Sequence, residues 1–224
     1  MNKKELEKTK KDLLYKRASL SAKERTDEIN AYAEGYKNFL DNSKTEREAV
    51  KQAIKLLEDK GYKAFNFGNE LEKGGKYYLN NRFKSLCAFR IGENVENGVK
   101  LVGAHIDSPR LDIKQNPLYQ KDDMAYLKTH YYGGIRKYQW TTIPLALHGV
   151  VVKADGTSVE VKIGDEETDP VFCITDLLPH LAQDQSQKPL ATAFTGEGLN
   201  VLTGADSLSE DADNGIKLNV IKLL

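Results

Sequence analysis

From Asn2 to Gly61 the chain spaces its apolar residues three or four apart among runs of Lys, Glu and Asp, the pattern of helices that bury one face. The stretch Glu5 to Arg17 reads as a first helix with few apolar positions. Ser21-Ala-Lys-Glu24 has capping-box spacing ahead of a helix running to about Leu40, and Ser43-Lys-Thr-Glu46 repeats that signal ahead of another. This last helix carries Val50, Ile54 and Leu57 on one face and stops at Gly61, where glycine enters the left-handed conformation without penalty.

The period then changes. Strands are expected at Lys63 to Phe67, Tyr77 to Asn80, Ser85 to Ile91 and Val99 to Ala104, separated by Gly-Asn, Gly-Gly and Glu-Asn turns. Helices followed by strands that end at His105 imply an α/β layer. Beyond Asp112 come short alternating strands at Arg110 to Lys114, Met124 to His130, Pro144 to Lys153 and Ser158 to Ile163, with Asp155-Gly156 turning the last two into a hairpin. Residues from about 114 onward therefore read as a second, mostly β module. Ile216, Val220, Ile221 and Leu224 return to helical spacing, and no cap follows them, so the chain is expected to be a fragment cut inside an element.

Composition narrows the partners. With 33 basic and 33 acidic residues dispersed along 224 positions, net charge is zero. That leaves no electrostatic footprint for nucleic acid and no basic amphipathic face for a membrane. No apolar run approaches a membrane span and the N-terminus lacks the hydrophobic stretch of a signal peptide, so a cytoplasmic protein is expected. Cys87 and Cys173 each lie in an apolar strand-like run and read as buried hydrophobes rather than a disulfide or a thiolate metal pair.

The candidate chemistry lies in Leu101-Val-Gly-Ala-His-Ile-Asp-Ser-Pro-Arg110. Residues two apart on an extended chain point to the same face, so His105 and Asp107 can converge beyond a strand end. There the histidine can ligate zinc, while the aspartate braces a ligand by accepting an N–H, the role that fixes ring tautomer and orientation. The plainer reading is a structural His-Asp pair, since a catalytic zinc needs about three protein ligands. Placement at a strand end, where open α/β sheets hold their sites, favours the metal.

The run Gly103-Ala-His-Ile-Asp-Ser-Pro-Arg110, followed by His130-Tyr-Tyr-Gly-Gly134, Trp140-Thr-Thr142 and Leu145-Ala-Leu-His-Gly-Val150, resembles the aspartyl aminopeptidase family of zinc peptidases, in its bacterial branch. Phe39-Leu-Asp-Asn-Ser-Lys-Thr45 and Glu48-Ala-Val50 fit its N-terminal helices. The resemblance implies the N-terminal part of an α/β/α catalytic domain over residues 1–113. A mostly β inserted dimerisation domain follows over 114–224, truncated at its C-terminal end. It further implies a peptide substrate, homodimers built into a dodecamer, and two zinc ions in the complete enzyme. His105 would ligate one zinc and Asp107 would be the catalytic residue that orients it. The later ligands and the Glu-Glu pair that supplies the general base have no counterpart here. Ile174-Thr-Asp-Leu-Leu-Pro-His-Leu181 resembles the family segment whose histidine reaches a neighbouring subunit's site to hold substrate. That makes His180 a substrate-binding candidate in trans, against the plain reading of an exposed loop histidine.

Two segments mimic missing parts. Glu166-Glu167 lies in a polar turn and Arg110-Leu-Asp112 directly follows the first ligand, so both read as structural. His130 and His148, among aromatic and apolar strand residues, read as packed or hydrogen-bonded groups. Many relatives carry an acidic-basic pair shortly after the tryptophan, where Ile143-Pro144 stands here. A strict preference for N-terminal Asp or Glu is therefore not carried over. The fragment alone is expected to be inactive. The competing function is a non-catalytic assembly module; a small-molecule binding protein using the H-x-D pocket has no specific support.

Overall fold

The computed structural model describes residues 2–14, 25–209 and 213–224, which form two compact units, Met1–Ile106 and Asp107–Leu224. In the first, α1 spans Lys3–Leu13 and opens on a capping box between Asn2 and Glu5. It starts earlier than expected because Asn2 supplies the cap, and the expected stretch beyond Leu14 lies outside the described residues. So does the expected Ser21–Glu24 box. Helix α2 spans Thr26–Asp41 with Arg25 at its N-cap and no side-chain capping bond.

Helix α3 spans Glu46–Asp59 and is capped by Thr45 and Glu48, two residues later than the expected Ser43–Glu46 box. The reason lies in the preceding helix. The N–H of Asn42 still donates to the Asn38 carbonyl and that of Ser43 to the Leu40 carbonyl, so Ser43 is occupied in ending α2. Thr45 is the next residue free to be extended, with φ −125° and ψ 162°. Val50, 1% exposed, anchors the helix, and Gly61 ends it at φ +79°, with its N–H donating to Glu58 O at 2.8 Å.

Strand β1 (Lys63–Ala64) runs parallel to β2 (Lys76–Asn81), which pairs antiparallel with β3 (Ser85–Arg90). Phe65 meets Tyr77 and Phe89 edge-on at 6.3 and 5.5 Å, and Tyr77 and Phe89 lie tilted against each other at 5.7 Å. Buried Tyr78 donates a 2.6 Å hydrogen bond to Glu58 Oε1, tying α3 to the sheet. That bond, with burial and the glutamate's charge, pushes the phenol's pKa up.

Two expectations fail in this unit. Val99 to Ala104 is not a strand: Val99, Leu101 and Val102 are 82%, 88% and 95% exposed. A continuous apolar run becomes a strand only against a hydrogen-bonding neighbour, and among the described residues none lies beside it. Cys87 is exposed rather than buried, because its face of β3 has no layer over it among the described residues; Cys173 is half-buried, and both thiols are free.

In the second unit β4 (Arg110–Lys121) pairs antiparallel with β5 (Met124–Tyr132), through a turn at Asp122 and Asp123 that both take positive φ. The sequence pattern predicts a strand only as far as Lys114, short of Pro117, which cannot donate to a ladder. The strand continues past it through a register shift between Ile113 and Leu118, with Asn116 at φ +50°. Strand β5 also pairs with a strand over Val201–Gly204. Two more strands, β6 (Leu147–Val152) and β7 (Ser158–Ile163), form a separate two-stranded hairpin around Gly156 at φ +85°. The Val201–Gly204 strand is β8. After β7 come one-turn helices α4 (Gln183–Ser186) and α5 (Leu190–Ala193), and α6 spans Gly215–Leu223. Ile216 and Val220 of α6 pack on Ala125, with Leu118 against the cluster, the burial that their helical spacing predicts. Among the described residues no helix is long and apolar enough to cross a membrane.

Candidate active site

The H-x-D pair straddles the boundary between the units: His105 is an exposed residue of the first and Asp107 a half-buried residue of the second. Both lie in residues 98–109, ahead of β4, which form neither helix nor strand.

Within the second unit, Asp107 is held. Tyr132, the last residue of β5, donates its hydroxyl to Asp107 Oδ2 at 2.7 Å. The ladder places Tyr132 opposite Arg110, whose guanidinium carbon lies 4.3 Å above the phenol ring. Arg110 Nε in turn donates to Asp112 Oδ1 at 2.8 Å. The next residue after Tyr132, Gly133, sits at φ +79° with Pro109 beneath it, where an added Cβ would be 3.4 Å from the proline ring. Ser108-Pro-Arg110 and Tyr132-Gly-Gly134, far apart in sequence, thus meet around one carboxylate. Sequence reasoning gives Tyr132 no role at the site; the one signal for it is its place in the His130-Tyr-Tyr-Gly-Gly134 run.

The other candidates scatter. Glu166 and Glu167 occupy an exposed turn after β7, organised by Asp169, which accepts from the N–H groups of Gly164 at 2.8 Å and Glu166 at 3.3 Å. These bonds hold the Asp169 carboxyl below the usual carboxylate range. Asp112 is engaged by Arg110, as described. His148, whose side chain is 9% exposed, has Nε2 3.0 Å from Asp165 Oδ2. His130 lies exposed on β5, opposite Asp112. Near it Glu197 receives Lys114 Nζ at 2.8 Å, and this bond, before the charges of Lys114, His130 and Lys128, lowers its carboxyl's pKa. His180 sits in an exposed turn flanked by Leu177, Leu178 and Leu181, all exposed.

One imidazole and one carboxylate fall short of a catalytic zinc's protein ligands. Among the described residues no group of three His, Cys, Asp or Glu side chains gathers as a metal site.

The family profile of the aminopeptidase I zinc metalloproteases, the M18 peptidases, matches residues 39–224. The chain belongs to the M18 family. It is 49% identical over 203 residues to a probable M18 family aminopeptidase 1 of Clostridium acetobutylicum, covering 88% of this chain and 44% of that protein. The fold is the mixed α/β fold of M18 aminopeptidases. It matches the crystal structure of an M18-family aminopeptidase from Thermotoga maritima with TM-score 0.82 at 42% identity, covering 88% of this chain and 43% of that one. Aminopeptidase I of C. acetobutylicum matches with TM-score 0.78 at 44% identity, over 94% and 48% of the two chains. The chain thus spans less than half the length of these M18 relatives. The S. cerevisiae mApe1 dodecamer shares the fold at 20% identity, with TM-score 0.58.

Proposed function

We propose that the whole protein is a zinc-dependent aminopeptidase of the aspartyl aminopeptidase type, which hydrolyses N-terminal residues from peptides in the cytoplasm. In this reading residues 1–113 open the α/β/α catalytic domain and residues 114–224 make up most of a β-rich dimerisation domain. The observation that carries it is the fixed Asp107 carboxylate, clasped by Tyr132 two residues after His105 in a chain that belongs to the M18 family. His105 serves as a ligand of one of two zinc ions and Asp107 sets its orientation. The remaining ligands and the general base belong to the part of the protein outside these residues. His180 serves in trans, holding substrate in a neighbouring subunit. Its exposed turn, flanked by exposed leucines, supports a role at a subunit contact. The mApe1 structure that shares this fold is a dodecamer, in keeping with a homo-oligomer here.

For the 224 residues alone a second reading is favoured by the lack of a three-donor group among the described residues: an assembly module without chemistry of its own. Assay of the whole protein and of this chain against amino-acid anilides tests both readings. We expect turnover only in the whole protein, and its loss with His105→Ala. Turnover by the isolated chain, or full activity and zinc content in the His105→Ala protein, would overturn the assignment.

A further inference from the structure

Arg110 and Asp112 stand two residues apart on one face of β4, and the ladder sets them opposite Tyr132 and His130 of β5. From sequence this run reads as structural. Its contacts link it to the Asp107 carboxylate.

Tyr132 has little support from its own strand. It is the last residue of β5, it is 41% exposed, and the ladder ends at its pairing with Arg110. The next two residues, Gly133 and Gly134, carry no side chain that could brace the ring. A phenol so placed has more than one staggered rotamer open to it, and water competes for its hydroxyl and for the carboxylate. The 2.7 Å bond to Asp107 Oδ2 lasts only if something else keeps the ring on target.

The Arg110 guanidinium meets both ends of that bond. Its central carbon lies 4.3 Å from the centre of the Tyr132 ring, on the β5 side. On the other side Nη1 donates to the carbonyl of Ser108, the residue after Asp107, at 3.4 Å. The contacts close a circuit: Asp107 accepts from Tyr132, the Tyr132 ring lies under Arg110, and Arg110 returns through Ser108 to the backbone of Asp107. Asp112 Oδ1 accepts from Arg110 Nε at 2.8 Å and so sets the plane of the guanidinium. All of these residues belong to the second unit, so the circuit is complete within it. A lysine could not replace the arginine, because a single ammonium cannot cover a ring and donate in one plane to two acceptors.

We propose that Arg110, braced by Asp112, is a positioning residue for the peptidase reaction. It holds Tyr132 on Asp107 and thereby fixes the carboxylate that orients the zinc ligand. The proposal rests on the reading of His105 and Asp107 as parts of a zinc site, and it adds the residues that keep one of them in place.

Steady-state kinetics and chelator competition for zinc on the whole protein test it, with thermal melts to confirm that each variant is folded. We expect Arg110→Met, which keeps the stem and loses the charge, to lower kcat about threefold to tenfold, to change KM less than about twofold, and to weaken zinc retention by about the same factor as kcat. In a Tyr132→Phe background the same substitution should change none of these further, since its effect runs through the missing hydroxyl. Asp112→Ala should give a smaller loss that also vanishes in that background, and it carries the test if Arg110→Met does not fold. Unchanged kcat and zinc retention, a loss confined to KM, or losses that persist in full without the Tyr132 hydroxyl would each overturn the role of Arg110. His105→Ala with zinc and turnover intact overturns the underlying site instead, which tells the two failures apart.

Discussion

Tyr132 closes on Asp107: its hydroxyl lies 2.7 Å from Oδ2, while Arg110 caps the ring from above. A β-strand end thereby reaches across to a carboxylate in an irregular segment and fixes where one of its oxygens points.

Removal of that hydroxyl separates positioning from packing. In the whole enzyme Tyr132→Phe is expected to lower kcat about tenfold with KM little changed, the usual scale for a group that orients a metal-site residue. The bond is partly exposed, so unfolding free energy should fall by about 1 kcal/mol or less. A kcat equal to that of the unaltered enzyme removes the role from Tyr132.

Asp107→Asn keeps the shape and hydrogen-bonding reach of the side chain but removes its charge. Activity and zinc affinity of the whole protein are each expected to drop about tenfold to a hundredfold. Chelator competition reads the affinity independently of turnover, and unchanged values in both assays would clear Asp107 of any part in the site.

The isolated 224-residue chain is expected to bind zinc weakly, because its described residues gather no three donors. Equilibrium dialysis measures this directly. Tight stoichiometric binding would reveal a site that the fold does not display.

Acid should loosen the turn that carries Glu166 and Glu167. Asp169 is held below its ordinary pKa by the N–H groups of Gly164 and Glu166, so its contribution is complete above the ordinary aspartate range. It disappears as pH falls through the lowered folded value. The amide shifts of Gly164 and Glu166 in an NMR titration should share a midpoint below that of a free aspartate, and Asp169→Asn should abolish the transition.

Thr45→Ala removes the side-chain acceptor that caps α3 and the partner of Glu48. A loss of about 1 kcal/mol in urea unfolding is expected, whereas Ser43→Ala should cost a few tenths at most, since the Thr45 frame closes the helix.

Those two residues also mark what was legible in the sequence. Both serine and threonine satisfy the capping rule, and only the needs of the preceding helix decide between them, a tertiary fact that local pattern does not hold. The hairpin at Asp155-Gly156 and the helix carrying Ile216 and Val220 were legible because each contains its own partners within a few residues. Val99 to Ala104 was not, since a buried strand and an unpaired apolar run look alike until a neighbour is present or missing. His105 and Asp107 were candidates by chemistry and spacing alone. Tyr132 was not, because its meaning depends on the β4–β5 register that sets it against Arg110 and beside Asp107.

The unpaired run from Val99 to Val102 has a consequence for a protein of this kind. Proteolytic enzymes bind their substrates as extended strands, and surface segments without helix or sheet are where nicking concentrates. A member of a peptidase family thus presents, near the end of its first compact unit, the form of backbone that another peptidase takes up most readily. A clip a few residues further on, after Ile106, would fall at the boundary between the two units and part the imidazole from the aspartate that completes its motif.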